Sequence, residues 1–348
     1  MTTETATDTL LDVQNLCKHF PIMSKGFARK KIGVVKAVDN VSFELRRGET
    51  LGLVGESGSG KTTCARTILR ALAPTSGKAV FRADGQSVDL ASLPQSDLKP
   101  LRQKMQMIFQ DPFSSLNPRM TVGDIVAEPL VIHKLASGKE LIERVEEMLL
   151  KVGLRPEHRQ RYPHAFSGGQ RQRIGIARAL IMKPALVVAD EAVSALDVSV
   201  QAQVINLLVD LQKELGLTYI FVAHDLSVVQ HICDRVAVMY AGKIVELAES
   251  KELFNNPRHP YTQALLSAVP NVDPDIKMTF DVGGEVADAG NLPPGCSFHP
   301  RCPRRFEPCD KIVPWLEPIP DTDSRVACHL YIPEAKIKKA SEMLNAVK

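Results

Sequence analysis

Apolar residues fall along this chain in two rhythms. Unbroken runs at Thr50-Leu51-Gly52-Leu53-Val54, Met105 to Phe109, Ala185-Leu186-Val187-Val188-Ala189 and Leu217 to Ala223 predict strands buried on both faces. Apolar positions three or four apart predict helices at Cys64, Ile68, Leu69 and Leu72, closed by Pro74, and at Ile174, Ala177 and Leu180. Looser alternation from Leu11 to Phe20 predicts an edge strand ending at Pro21. Val38 to Leu45 reads as a second strand, turned by Arg47-Gly48 into the next. The basic, glycine-containing stretch Lys25 to Lys36 reads as a solvated loop. Beyond Pro112 the pattern turns helical up to Pro163. There Ser137-Gly138-Lys139-Glu140 predicts a capping box ahead of Leu141, Val145, Leu149 and Val152, with Gly153 as the stop. The fold class is α/β with a helical insert. From about Pro270 the sequence becomes proline-rich and irregular, with few apolar runs to build a core.

Composition adds bounds. A chain of 348 residues has room for two domains or one with an appendage, and a formal charge of +3 forces no basic face for nucleic acid. The polar start Met1 to Leu10 lacks the pattern of a secretion signal, and no apolar run approaches bilayer length. The expectation is a soluble or peripheral protein on the cytoplasmic side.

Candidate chemistry begins after the first buried run. Gly55-Glu56-Ser57-Gly58-Ser59-Gly60-Lys61-Thr62, followed by Thr63, fits the phosphate-loop pattern at every fixed position. It lies between a predicted strand and a helix start. There, backbone N–H groups and the helix dipole favour an anion. Lys61 is placed to reach the β- and γ-phosphates of a nucleoside triphosphate, and Thr62 to hold Mg2+. The run Ala185 to Ala189 ends in Asp190-Glu191: the first carboxylate suits Mg2+ through its water shell, the second the attacking water. His224 ends another run and is placed to contact the γ-phosphate. Phe20 fits either a base-stacking aromatic or an ordinary core residue. Ser167-Gly168-Gly169-Gln170 opens a second helix whose start suits an anion. One nucleotide has no evident use for two such starts in one chain. A head-to-tail dimer resolves this, with each nucleotide held between one subunit's phosphate loop and its partner's second helix.

These stretches together resemble an ABC-transporter ATPase over nearly the whole chain, which implies a P-loop ABC ATPase fold, a RecA-like core with a helical subdomain. Gly55–Thr62 matches Walker A and Gln110 the Q-loop, another ligand position for Mg2+. Ser167–Gln170 matches the ABC signature, with Phe166 where leucine is usual. Asp190 and Glu191 match Walker B and the catalytic glutamate, Ser194-Ala195-Leu196-Asp197 the D-loop, and His224 the switch histidine. Phe20 falls at the adenine-stacking aromatic. Ala192 stands where the family usually has proline, which changes backbone stiffness beside the catalytic base. The segments Phe109–Arg119 and Arg258–Leu266 and the cysteine-bearing tail resemble the dipeptide/oligopeptide importer group. The resemblance implies a heterodimer with a second, different ABC ATPase subunit on the cytoplasmic face of the membrane. It also implies two integral membrane permease subunits, with Pro112–Arg119 near their coupling helices, and an extracytoplasmic peptide-binding protein. An importer of nickel or another peptide-like solute is the alternative. A soluble ABC protein of translation or repair fits less well, because the chain has one ATPase domain and no long heptad insert. The expected division is an ATPase domain over 1–270, its helical subdomain over about 112–165, and a cysteine-rich region over 271–348.

That region carries four of the seven cysteines, Cys296, Cys302, Cys309 and Cys328, spaced C-x5-C-x6-C-x18-C. In a reducing compartment such a cluster points to a metal centre rather than disulfides. Four thiolates suit tetrahedral zinc or a [4Fe–4S] cluster. The lack of C-x2-C knuckles favours iron–sulfur, and the resemblance implies the same. The centre is expected to staple the tail without a part in hydrolysis, leaving His299 and His329 outside the ligand set.

Overall fold

A computed structural model of the chain describes residues 8–24, 30–111, 113–268, 287 and 289–346. It opens with a long hairpin, β1 (Thr9–Met23) and β2 (Lys31–Arg46). Then β3 (Thr50–Val54) runs into α1 (Lys61–Ile68), followed by β4 (Ser76–Ala83), β5 (Gln86–Asp89), the short α2 (Leu98–Leu101) and β6 (Met105–Ile108). The helical insert comprises α3 (Val122–Ile132) and α4 (Gly138–Lys151) and leads into α5 (Gly168–Leu180). The chain then alternates through β7 (Leu186–Asp190), α6 (Val198–Leu215), β8 (Thr218–Ala223), α7 (Leu226–Ile232) and β9 (Arg235–Tyr240). It continues with β10 (Lys243–Glu249), α8 (Ser250–Asn255) and α9 (Pro260–Ser267). The tail adds β11 (Glu317–Pro318), β12 (Arg325–Val326) and α10 (Glu334–Ala346).

Two sheets result, an antiparallel one ordered β2-β1-β4-β5 and a larger one ordered β11-β12-β10-β9-β3-β8-β7-β6. From β9 to β6 the pairing is parallel. Every residue of β3, β7 and β8 is buried, as their unbroken apolar runs predict. Alternation inside the runs separates two faces. Val187, Ala189, Tyr219 and Phe221 pack into the core beneath the helices. Val188, Ile220 and Val222 pack on the other face with Cys64 and Ile68 of α1 and with the antiparallel sheet. All the parallel strands therefore end on one side, where ligands of open α/β sheets bind.

Three local expectations are corrected. β1 is not an edge strand: it lies between β2 and β4 and runs on through Pro21 to Met23. Its pairing with β4 ends at Cys17↔Ser76, so beyond that point β1 has one neighbour and the missing N–H of Pro21 costs little. The basic stretch is strand from Lys31 to Lys36, paired with His19 to Met23; Lys25 to Arg29 lie outside the described residues, as do Pro112 and Pro270. Ser137 is the N-cap of α4, but its side chain accepts no capping hydrogen bond. Gly153 does follow the end of α4, with φ +72° and its N–H on the Leu150 carbonyl at 2.9 Å.

Among the described residues of the tail, turns and coil dominate up to α10, yet the tail is joined to the core. β12 pairs with β10 through Glu246↔Val326 and Leu247↔Arg325, and Ala327 N–H donates to Val245 O at 2.8 Å. Phe298 is buried in the main core, and Cys296 and Cys302 pack against it.

Candidate functional site

The phosphate loop leaves β3 at Gly55, in a backbone conformation only glycine adopts easily. A Cβ there would lie 2.2 Å from the Met239 carbonyl oxygen, and one at Gly60 2.1 Å from that of Ala37. The loop thus presses against β9 and β2 on its way into α1. The Lys61 ammonium is buried at 4% exposure and donates to Gly55 O at 2.8 Å and Glu56 O at 2.9 Å. Burial lowers its pKa, and the carboxylates of Glu191, Asp190 and Glu56 partly restore it.

Asp190, the last residue of β7, is 1% exposed. Its carboxylate accepts from Thr62 Oγ1 at 2.8 Å and lies 3.4 Å from Arg66. Hydroxyl and carboxylate oxygens from two elements thus meet beneath the loop, hard donors of the kind magnesium takes. Next along, Glu191 has φ +49°, a left-handed conformation that is costly for a side-chain-bearing residue and clusters at functional sites. Its N–H is fixed to Val222 O at 2.9 Å, and its carbonyl accepts from Ser194 Oγ at 3.0 Å. Its carboxylate is met twice on one oxygen: Gln110 Nε2 donates at 2.8 Å and His224 Nδ1 lies 3.3 Å away. Three candidates from three strand ends therefore converge. Ala192, standing where the family usually has proline, is buried in the core.

The signature segment stands elsewhere. Ser167 is exposed and caps α5 reciprocally with Gln170: Gln170 N–H donates to Ser167 Oγ at 3.3 Å and Ser167 N–H to Gln170 Oε1 at 3.1 Å. Its S-x-x-Q spacing carries that capping box legibly. Gly169 is close against Val200 at the start of α6, and a Cβ there would come within 2.3 Å of it. Among the described residues, no hydrogen bond or ion pair joins Ser167–Gln170 to Gly55–Thr63. Phe166 is buried, edge-on to His158 at 5.2 Å between ring centroids. Phe20 is not a core residue: it is 36% exposed, with the Lys18 ammonium 4.9 Å from its ring centre.

The four tail cysteines are free; Cys309 and Cys328 are buried and the other two partly so. Burial pushes the Cys296 thiol up to about 11 and Cys328 up to about 12, and the neighbouring thiols add to both. Beside Cys328, His329 is 3% exposed and neither ring nitrogen has a hydrogen-bond partner. Among the described residues, three ligand atoms within 4.8 Å of one another occur at Cys17, His19 and Asp39, not at the tail cysteines. Reading the sequence missed Arg301, whose guanidinium grips Glu56 of the phosphate loop at 2.9 and 3.1 Å. No sequence signal joins residues so far apart.

The family model described as ABC transporter matches residues 38–194, and that for the oligopeptide/dipeptide transporter C-terminal region matches 245–309. The oligopeptide transport ATP-binding protein AppF of Bacillus subtilis is 52% identical over 93% of this chain and 98% of its own length. The dipeptide transport ATP-binding protein DppF of Escherichia coli is 51% identical over 91% and 94%. This chain belongs to the ATP-binding proteins of the peptide ABC transporter family. It is an ATP hydrolase with an ABC cassette that takes ATP and Mg2+. Among solved structures, the dimeric post-hydrolysis cassette MJ0796 bound to ADP and Pi matches 69% of this chain and 98% of that one, with TM-score 0.59 and 29% identity. CbiO1 of Clostridium perfringens, part of the cbiONQ ABC transporter complex, matches with TM-score 0.60, 28% identity and coverage of 72% and 92%. No helix among the described residues is long and apolar enough to cross a membrane.

Proposed function

We propose that this chain hydrolyses ATP to drive import of di- or oligopeptides, working on the cytoplasmic face of the membrane. Its partners in this reading are a second, different ABC ATPase subunit, two integral membrane permease subunits and, indirectly, an extracytoplasmic peptide-binding protein. The observation that carries it is the union, in one chain, of an ATP site built on Lys61 and Glu191 with a C-terminal region of oligopeptide/dipeptide transporter type. Relatives named for oligopeptide and dipeptide transport support the cargo class.

In this reading Gly55 to Thr63 cradle the phosphates, Lys61 pairs with the β- and γ-phosphates, and Phe20 stacks on the base. Thr62, Asp190 and Gln110 hold Mg2+, which when bound neutralises charge on the β- and γ-phosphate oxygens. Glu191 polarises the attacking water and takes its proton, while Gln110 and His224 hold its carboxylate in line. His224 also faces the γ-phosphate and registers its loss. Ser167 to Gln170 serve the nucleotide of the partner subunit, because Ser167 is exposed and its helix start is not joined to the chain's own loop. The dimeric cassette among the structural relatives supports this pairing.

The cysteine centre is a [4Fe–4S] cluster in this reading, with zinc as the alternative. Four crowded, largely buried thiols become thiolates together only beside a cation. Four free thiols close enough to raise one another's pKa support a centre there, with the unpartnered His329 ring beside it. A zinc ion would draw its sulfurs to about 3.8 Å apart, from Zn–S bonds of about 2.3 Å. A cluster binds one thiolate per iron and tolerates the wider spread.

The test is uptake by the complex reconstituted with its cognate binding protein. ATP-dependent accumulation of labelled peptide is expected. Accumulation of nickel without peptide would overturn the cargo assignment and leave the ATPase standing.

A further inference from the structure

Glu56, second in the phosphate loop, is held from three sides. Its carbonyl accepts from Lys61 Nζ at 2.9 Å, and its N–H donates to the Tyr261 hydroxyl at 2.8 Å. Its carboxylate is forked by Arg301, Nη1 to Oε2 at 2.9 Å and Nη2 to Oε1 at 3.1 Å. Two of these three anchors lie in the C-terminal region matched over 245–309, outside the segment matched as ABC transporter. They form one packed unit. Tyr261 lies 4.6 Å from Tyr240 and 5.5 Å from Phe298 between ring centroids, and the Arg301 guanidinium sits 6.0 and 5.8 Å from the centres of those same two rings. The Arg301 side chain is 10% exposed and that of Glu56 28%, and the two parallel hydrogen bonds fix the fork's geometry. Lys61 holds the same Glu56 peptide, so a shift of Glu56 reaches the ammonium directly.

We propose that Tyr261 and Arg301 are positioning residues for the phosphate loop: they fix Glu56 so that Lys61 is presented to the nucleotide, and ATP affinity therefore depends on the C-terminal region. This rests on reading Gly55 to Thr62 as the ATP-binding loop. Failure of that reading would show separately, as a parent chain that binds no MgATP.

The test is calorimetric titration of the full-length chain with magnesium and a non-hydrolysable ATP analogue, alongside nucleotide-free melting temperatures. Arg301→Met should raise Kd about tenfold, equivalent to about 1.4 kcal/mol. Glu56→Ala should do the same, and the double variant should be no worse than either single one, because both break one fork. Arg301→Lys should fall between, keeping the charge but not the fork. Tyr261→Phe should raise Kd severalfold by removing the acceptor for the Glu56 N–H. A lowered melting temperature with Kd within twofold of the parent would make the fork a mere staple and overturn the proposal. Glu56→Ala binding as tightly as the parent would reduce Arg301 to charge neutralisation, and multiplying effects in the double variant would show independent action. Either result overturns it. If Arg301→Met does not fold, Glu56→Ala and Arg301→Lys carry the same comparison.

Discussion

Lys61→Ala and Ser167→Arg separate the two halves of the proposed composite site. The Lys61 ammonium is buried and already committed to the loop, bridging Gly55 O and Glu56 O at 2.8 and 2.9 Å. Its removal takes away a charge-assisted phosphate contact worth about 1.5–3 kcal/mol. That predicts a Kd for MgATP weakened roughly ten- to a hundredfold in the isolated subunit. Ser167 is exposed and its hydroxyl serves Gln170 N–H, so an arginine there costs the α5 cap about 1 kcal/mol of stability. It touches nothing in the chain's own loop, so isolated-subunit affinity should stay within about twofold, which is under 0.5 kcal/mol. What Ser167→Arg should abolish is ATP-induced closure against the partner ATPase, followed by light scattering of the assembled pair. Calorimetry on each full-length variant supplies the affinities. Equal loss of monomer binding in both variants would refute the division of labour.

Anaerobically purified protein should be brown and hold about four irons per chain, and Cys302→Ser should remove the colour and lower the melting temperature; one equivalent of zinc in a colourless preparation would exclude the iron–sulfur centre. His259 gives a pH prediction. Burial pushes its pKa down to about 3, from 6.5 for an exposed imidazole, so its contribution is intact above pH 6.5. As pH falls from there the unfolded chain takes up the extra proton, and stability drops by about 1.4 kcal/mol per unit. Buried Glu246, whose N–H donors are Arg258 and His259, shifts upward and works in the opposite direction at the acid end. His259→Asn should flatten the fall in melting temperature between pH 6.5 and about 5; an unchanged slope would remove His259 as its source.

Much of this site was legible because its parts are local. The phosphate loop announces itself by a buried run, glycines and a helix start within a score of residues, and Asp190-Glu191 and His224 sit at the ends of runs that must be parallel strands. Their convergence on one carboxylate oxygen follows from β6, β7 and β8 lying side by side, which spacing alone does not state. Neighbours were the blind spot. Alternation at Leu11 to Phe20 says that β1 is half-buried, not that β4 flanks its other side. Basic residues at Lys31 and Lys36 suggest a solvated loop, although their side chains can be wet while the backbone pairs in a hairpin. Arg301 gripping Glu56 needs both the docking of the tail on β10 and the packing of Phe298, neither written in any local pattern.

In the proposed mechanism Glu191, held by Gln110 and His224, is the group that activates water. Glu191→Gln keeps the size and an oxygen for Gln110 while removing the charge. It also removes a carboxylate close enough to Lys61 to raise its pKa, and so a repulsion toward the phosphates. Steady-state hydrolysis by the assembled transporter should fall at least about a hundredfold, a barrier rise of about 2.7 kcal/mol, with MgATP affinity equal to the parent's or tighter. Turnover within about tenfold of the parent would contradict it.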